Sequence, residues 1–137
     1  MIYVDKKSTR ITTLSITKTI TMQSIDQCVE NLEILQKQKF NRIKIPYFTF
    51  KVYGTEVIIE SEYIKGPYIG EKHYNILYED LVLKPGPYSF HDYHYTNYKV
   101  NKFDDQIYAV DLDDFQTVTF TDRIENWNKN FRKSKLL

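Results

Sequence analysis

The chain has one cysteine, four glycines and four prolines among its 137 residues. With Cys28 alone, no internal disulfide can form, which fits a reducing compartment. So few glycines leave little backbone able to approach a phosphate closely. No apolar run approaches the roughly 20 residues that a membrane-spanning helix needs. Met1 to Arg10 carries no apolar stretch suited to a signal peptide. The expected location is therefore the cytoplasm, with no membrane partner. An excess of one charge is lacking too, since 19 basic and 18 acidic residues leave a net charge of +1. No long basic block precedes the tail, where Arg132, Lys133 and Lys135 cluster, so a nucleic-acid partner is not expected.

What remains is a globular composition, with 42% hydrophobic and 27% charged residues. A chain of this length suits one domain, residues 1–137, with a single core. Twelve tyrosines beside four glycines favour a strand-rich, half-buried architecture. Met1 to Asp5 alternates like a short strand, Lys6 to Ser8 reads as a turn, and Arg10 to Ile20 reads as a second strand. Ser24 and Gln27 form a capping box for a helix to about Lys39, with Ile25, Cys28, Val29, Leu32 and Leu35 on one face. Ile45 to Tyr53 and Glu56 to Tyr63 are the strands of a hairpin turning at Gly54-Thr55, with Pro46 at its start.

After Gly66-Pro67 a second helix is expected from Gly70 to Val82, presenting Tyr74, Leu77, Tyr78 and Leu81, until Pro85 and Pro87 end it. Two short strands should flank Lys102 to Gln106. A last helix from Thr121 to Arg132 would carry Ile124, Trp127 and Phe131 on one side. The faces of these two helices have few partners in one copy, so a homodimer through them is expected.

The polar stretch between these helices holds the chemistry. Asp92 is followed five positions later by Asn97, and Asp111 interrupts an apolar run after a strand–turn–strand. Two carboxylates and an amide suit a hard cation such as Mg2+, which keeps waters and substrate phosphates as further ligands. Zinc is disfavoured, because neither His73 nor Cys28 has the spacing to join His91 and His94. Taken blandly, Asp92 and Asn97 cap turns, as these residue types commonly do.

Phe90-His91-Asp92-Tyr93-His94-Tyr95-Thr96-Asn97, with Val110-Asp111-Leu112-Asp113 after it, resembles the catalytic and metal loops of the protein-kinase-like phosphotransferases. The likeness covers roughly residues 1–115. It is nearest to the lipopolysaccharide and aminoglycoside kinases, whose loop reads H-G-D-L-H-x-x-N; Phe90 stands where that family has its first His. The implied fold is α+β: a kinase-like small lobe (antiparallel sheet plus one helix, residues 1–65) and a strongly reduced large lobe (66–137). The implied activity is transfer of the ATP γ-phosphoryl group to a hydroxyl acceptor with Mg2+. Asp92 would be the catalytic carboxylate, and Asn97 and Asp111 the metal ligands. His94 would be a structural hydrogen-bonder, Asp113 a second metal ligand, and Asp114 a solvated neighbour.

The resemblance makes Lys18 the lysine that binds phosphates, with Glu33 rather than Glu30 as its partner, since Glu33 borders the apolar stripe. Glu62-Tyr63-Ile64-Lys65-Gly66 is similar to the family's hinge. There the Glu62 carbonyl and the Ile64 N–H would bind adenine between Ile16 and Val110. Lys18 also reads as a surface lysine on an edge strand, and Glu62 to Gly66 as a plain strand end. Two features depart from the family. The first hairpin turn has no glycine, and little chain follows Asp111 to build a large lobe. Such compactness suits a phage or viral gene, with a host-cytoplasmic product. Two alternatives stand beside the enzyme: a kinase-like nucleotide-binding or regulatory module with weak turnover, and a small α+β interaction protein.

Overall fold

A computed structural model of the chain describes residues 7–11, 15–21 and 25–132, with side chains from 25 to 131. The fold is α+β, built of short antiparallel strands and helices. The chain divides into two compact units. One comprises Met1–Gln38 with Pro46–Tyr63, the other Lys39–Ile45 with Ile64–Leu137. The segment Lys39–Ile45, which lies between two elements of the first unit, belongs to the second.

The first unit is a four-stranded sheet in the order β1-β2-β4-β3 with helix α1 against β4. Its strands are β1 (Lys7–Ile11), β2 (Ser15–Thr21), β3 (Phe48–Tyr53) and β4 (Glu56–Glu62). All neighbours are antiparallel. The expected turn at Lys6 to Ser8 is corrected, because Lys7 and Ser8 pair with Ile20 and Thr19 as strand residues. Periodicity misses β1 because its sequence, polar except for Ile11, lacks an apolar alternation; the partner strand supplies its hydrogen bonds. The first strand expected at Met1 to Asp5 lies outside the described residues, as do the capping Ser24 and the link Thr12 to Leu14.

Helix α1 (Ile25–Lys37) buries Cys28, Leu32 and Leu35 of the expected stripe, while Ile25 and Val29 are half-buried. Val57, Ile59 and Phe48 are buried in the same unit. Leu32 and Leu35 are each 1% exposed, and truncating such a side chain to Ala typically costs about 2–5 kcal/mol. Gly54 adopts φ +57 at the two-residue turn from β3 to β4. Positive φ there matches the twist of a tight hairpin and strains any residue with a Cβ.

The second unit is held by aromatic rings and buried main-chain ties. Its helical segment begins with a 3-10 turn (Glu71–His73), continues as α2 (Tyr74–Leu77) and widens into a π-helical stretch (Tyr78–Leu83). The widening brings Asp80 and Val82 inside along with Leu77 and Leu81. Of the expected face, Leu77 and Leu81 are buried, whereas Tyr74 and Tyr78 are only half-buried. Helix α3 (Phe120–Trp127) starts at Thr119, whose hydroxyl accepts the Asp122 N–H at 3.1 Å. It runs on as a π-helical stretch, Asn128–Arg132.

Trp127 lies 5.1 Å from Tyr78 and 5.8 Å from Tyr93, ring centre to ring centre, and Phe131 lies 4.6 Å from Tyr74. Edge-on and tilted pairs of this kind add to plain area burial. These two helical faces therefore meet partners within one copy. Leu77 and Leu81 are fully buried.

Two small ladders complete the unit as described. Strand β5 (Tyr88–Phe90) pairs with β8 (Phe115–Thr117), and β6 (Tyr98–Val100) pairs with β7 (Ile107–Ala109), the hairpin expected around 102–106. Lys44 extends the second ribbon, its N–H meeting Ile107 O at 2.8 Å and its carbonyl accepting from Ala109 N at 3.0 Å. On the other side, Ile69 and Val100 exchange main-chain bonds with Tyr98 and Pro67. Gly66 lies so close to this ribbon that a Cβ there would sit 1.9 Å from the Val100 carbonyl oxygen. Only glycine fits.

Candidate functional site

Phe90 ends β5 with its ring buried against Phe40, Phe115 and Tyr98 at centre distances of 5.9, 5.5 and 6.3 Å. Tyr93, three residues on, is also fully buried. Between these two anchors the chain must turn outward, so His91 and Asp92 are exposed. Asp92 Oδ1 accepts the His94 N–H at 3.2 Å, the Asx-type closure of the bland reading. His94 in turn caps the 3-10 turn Tyr95–Asn97: its Nδ1 lies 2.7 Å from Thr96 Oγ1 and accepts the Thr96 N–H at 3.3 Å. The expected structural role of His94 is met, from an exposed position.

Asn97 closes the loop on itself and onto the next element. Its Nδ2 donates to the Asp92 carbonyl at 3.1 Å, and its own carbonyl accepts the Val110 N–H at 2.9 Å. With Nδ2 engaged, Oδ1 is the side-chain atom left to act as a metal donor. Val110 leads directly to Asp111, which begins the 3-10 turn Leu112–Asp114. Asp114 then reaches back: its Oδ2 accepts the N–H of His91 at 2.9 Å and of Asp92 at 2.7 Å. Asn97 thus ties the main chain of Asp92 to that of Val110, the residue before Asp111, within one unit.

The expectation of a solvated Asp114 is corrected. It is half-buried, and loss of hydration pushes its carboxyl up to about 8. The N–H groups of Asp92 and His91 oppose that rise, while the negative charges of Asp111 and Asp92 add to it. Tyr98 lies beneath the same group. It is fully buried, its hydroxyl has no hydrogen-bond partner among the described residues, and its pKa is pushed far up by burial and then by the charge of Asp114. Burial likewise raises Tyr93, whose hydroxyl donates to Leu81 O at 3.2 Å. The residue types alone do not distinguish Asp113 from Asp114; only the tight turn that aims Asp114 at the loop does so.

Among the described residues no group of three or more His, Cys, Asp or Glu is arranged to hold a metal. The oxygen donors at this place are the Asn97 amide and the Asp111 carboxylate. One amide and one carboxylate are too few for a closed protein cage.

The other expected residues lie elsewhere in the chain. Lys18 sits in β2 opposite Ile59, so it belongs to an interior strand and the edge-strand reading is corrected. Glu33 is exposed on α1, as is Glu30. Glu62 ends β4, where its Oε1 accepts the Tyr47 N–H at 3.0 Å and its N–H donates to Tyr47 O at 3.1 Å. Ile64 is buried in the second unit, so the two main-chain groups assigned to adenine fall on either side of the division at Tyr63. Ile16 pairs with Ser61, and Val110 is half-buried.

No helix among the described residues is long and apolar enough to cross a membrane. No protein-family model matches the chain, and no curated protein matches it either.

Proposed function

We propose that the chain is a kinase-like phosphotransferase, moving the γ-phosphoryl group of ATP to a hydroxyl acceptor with Mg2+. The observation that carries this reading is the tie between two loops distant in sequence. Asn97 bonds to the main chain of Asp92 and of Val110, which supports a site shared by the Asp-x4-Asn motif and the Asp111 loop.

In the reaction, the bond from the γ-phosphorus to the bridging oxygen of ATP breaks, a bond to the acceptor oxygen forms, and ADP leaves. Asp92 is exposed, as a group that meets an acceptor must be, and takes the hydroxyl proton. Asn97 Oδ1 and Asp111 would hold Mg2+, which when bound neutralises charge on the phosphates.

The test is thermal unfolding with ATP. A ligand that binds the folded state alone raises the midpoint, so ATP should stabilise the protein only with Mg2+ or Mn2+. Asp111→Asn should abolish that gain and leave the ligand-free midpoint near wild type. Asp92→Asn should keep the gain and slow transfer or ATP hydrolysis by about 10²–10⁴-fold. Equal stabilisation of wild type and Asp111→Asn by ATP would rule out this ligand set.

A second reading, a nucleotide-binding module with little turnover, is favoured by one feature. The link between β1 and β2, Thr12 to Leu14, contains no glycine to bring main-chain amides onto phosphates. ATP stabilisation without measurable hydrolysis or transfer would select it.

A further inference from the structure

Asp92 stands on a short connection of irregular backbone, and a reacting carboxylate there needs a stiff support to keep its direction. A misplacement of about 1 Å can cost roughly 10²-fold in rate. The bond from Asp92 Oδ1 to the His94 N–H does not supply that support, because both partners move with the loop. Asn97 Nδ2 holds the Asp92 carbonyl, at the far side of the residue. The N-terminal side is held from outside the loop.

That hold comes from Asp114. Its main chain lies between Leu112 and Phe115, which are 3% and 1% exposed, and its own N–H closes on Asp111 O at 3.1 Å. The carboxylate is therefore fixed at its root. One oxygen, Oδ2, receives the N–H groups of His91 and Asp92 together. Two successive amides aimed at one point orient the peptide between them, and with it the Cα–Cβ direction of Asp92. The same 3-10 turn starts at Asp111. A single rigid turn thus sets the placement of Asp92 relative to Asp111.

The geometry points to Asp114 as the positioning residue for Asp92, aligning it with the acceptor without touching substrate. This role rests on the phosphotransferase reading of Asp92. The negative charges of Asp111 and Asp92 act on Asp114, and that of Asp114 acts on Tyr98. An oxygen acceptor rather than a negative charge is what the two amides require.

Four forms of the whole chain test it: wild type, Asp114→Asn, Asp114→Ala and Asp114→Glu. The measurements are ATP hydrolysis in Mg2+, the ATP-induced shift in unfolding midpoint, and hydrogen exchange of the His91 and Asp92 amides. Asp114→Asn keeps an oxygen in place, so turnover should stay within about fivefold of wild type with both amides protected. Asp114→Ala should lose about 10²-fold in turnover and expose both amides, with the ATP-induced shift unchanged. If Asp114→Ala does not fold, Asp114→Glu decides. It keeps the charge but moves the acceptor by one methylene, and should lose at least about tenfold in turnover while still binding ATP.

Wild-type turnover in Asp114→Ala or Asp114→Glu overturns the positioning role and leaves the phosphotransferase reading standing. Loss of turnover in Asp114→Asn equal to that in Asp114→Ala also overturns it, since charge would then matter and not the acceptor. Loss of the ATP-induced shift along with turnover assigns Asp114 to the fold alone. Absence of hydrolysis and transfer in wild type, with both amides protected, defeats the phosphotransferase reading, and the positioning role with it.

Discussion

Asp80 and Asp114 each offer one carboxylate oxygen to two successive main-chain N–H groups, in quite different surroundings. Asp80 Oδ2 takes Arg42 N at 2.6 Å and Ile43 N at 2.8 Å, from a helical segment where it is 2% exposed. It ties down the stretch Lys39–Ile45, which carries no proposed reacting group. Asp114 ties down the loop that carries Asp92, beside two other carboxylates. The same bond is a brace in one place and an alignment device in the other. Surroundings make that difference. A tie buried among apolar side chains is costly to break, whereas one at a half-open rim admits water when broken.

Removal of each carboxylate should separate the two ties by their effect on stability. Asp80→Ala leaves the Arg42 and Ile43 amides without their acceptor, one of them buried, and should cost about 3–5 kcal/mol in denaturant unfolding. Asp114→Ala should cost roughly 1–2 kcal/mol, because His91 and Asp92 are exposed and water replaces the acceptor. Equal losses would mean that both ties are braces.

The Asp114 tie should also depend on pH. In the folded chain the Asp114 carboxyl is pushed up to about 8, chiefly by burial. The unfolded chain releases that proton near pH 4, so between the two values the folded state binds the extra proton. The stabilising contribution is full below about pH 4 and is lost as pH rises through about 8. Asp114→Asn cannot titrate. Its midpoint relative to wild type should rise between pH 5 and pH 8 and level off above, as read by thermal unfolding in matched buffers without divalent cations. A constant difference would mean that the two amides and water keep the carboxylate charged throughout.

The smallest effect is expected at Tyr98. Its buried hydroxyl lacks a partner among the described residues. Tyr98→Phe removes an unmet polar group at constant ring volume and should change stability by less than about 1 kcal/mol, in the stabilising direction. A loss above 2 kcal/mol in denaturant unfolding would reveal that the hydroxyl is bonded through water to the acidic cluster above it.

The two regions also differ in how much of them can be read from sequence. Helix α1 declares itself through Cys28, Leu32 and Leu35, and the β3–β4 hairpin through its Gly54 turn, because local spacing determines both. The loop motif was legible as well, since Asp92, Asn97 and Asp111 are residue types with a recognisable order. The parts that escaped depend on distant partners. Strand β1 has no apolar alternation and gains its hydrogen bonds from β2, and β5 pairs with β8 across the entire candidate site. Asp80 is concealed because a π-helical widening turns a residue inward that regular spacing would leave out. Asp114 reads as one more surface acid until the turn after Asp111 is drawn.

Buried Arg123 shows the same kind of concealment with the opposite sign. It lies on α3 and donates to the carbonyls of Val82 at 2.9 Å and Val118 at 2.6 Å, with Gly86 at 3.3 Å. A guanidinium surrounded by carbonyl oxygens needs no carboxylate partner, since its fork meets the acceptors left where a helix and a strand end. Neither an ion-pair pattern nor a motif in the sequence would announce it.

The excursion of Lys39–Ile45 has a consequence for how this chain can be divided. Because that stretch is made between α1 and β3 yet forms ladder bonds with β7, neither unit corresponds to one continuous piece of the gene. Scission after Tyr63 gives an amino-terminal fragment still carrying the Lys44 rung of the other unit's ribbon, and a carboxy-terminal fragment lacking it. On the ribosome, Lys44 must wait for Ile107 and Ala109 to be synthesised before its rung can close. Anyone seeking an autonomous half would have to transplant that stretch, by permuting the chain, instead of merely trimming an end.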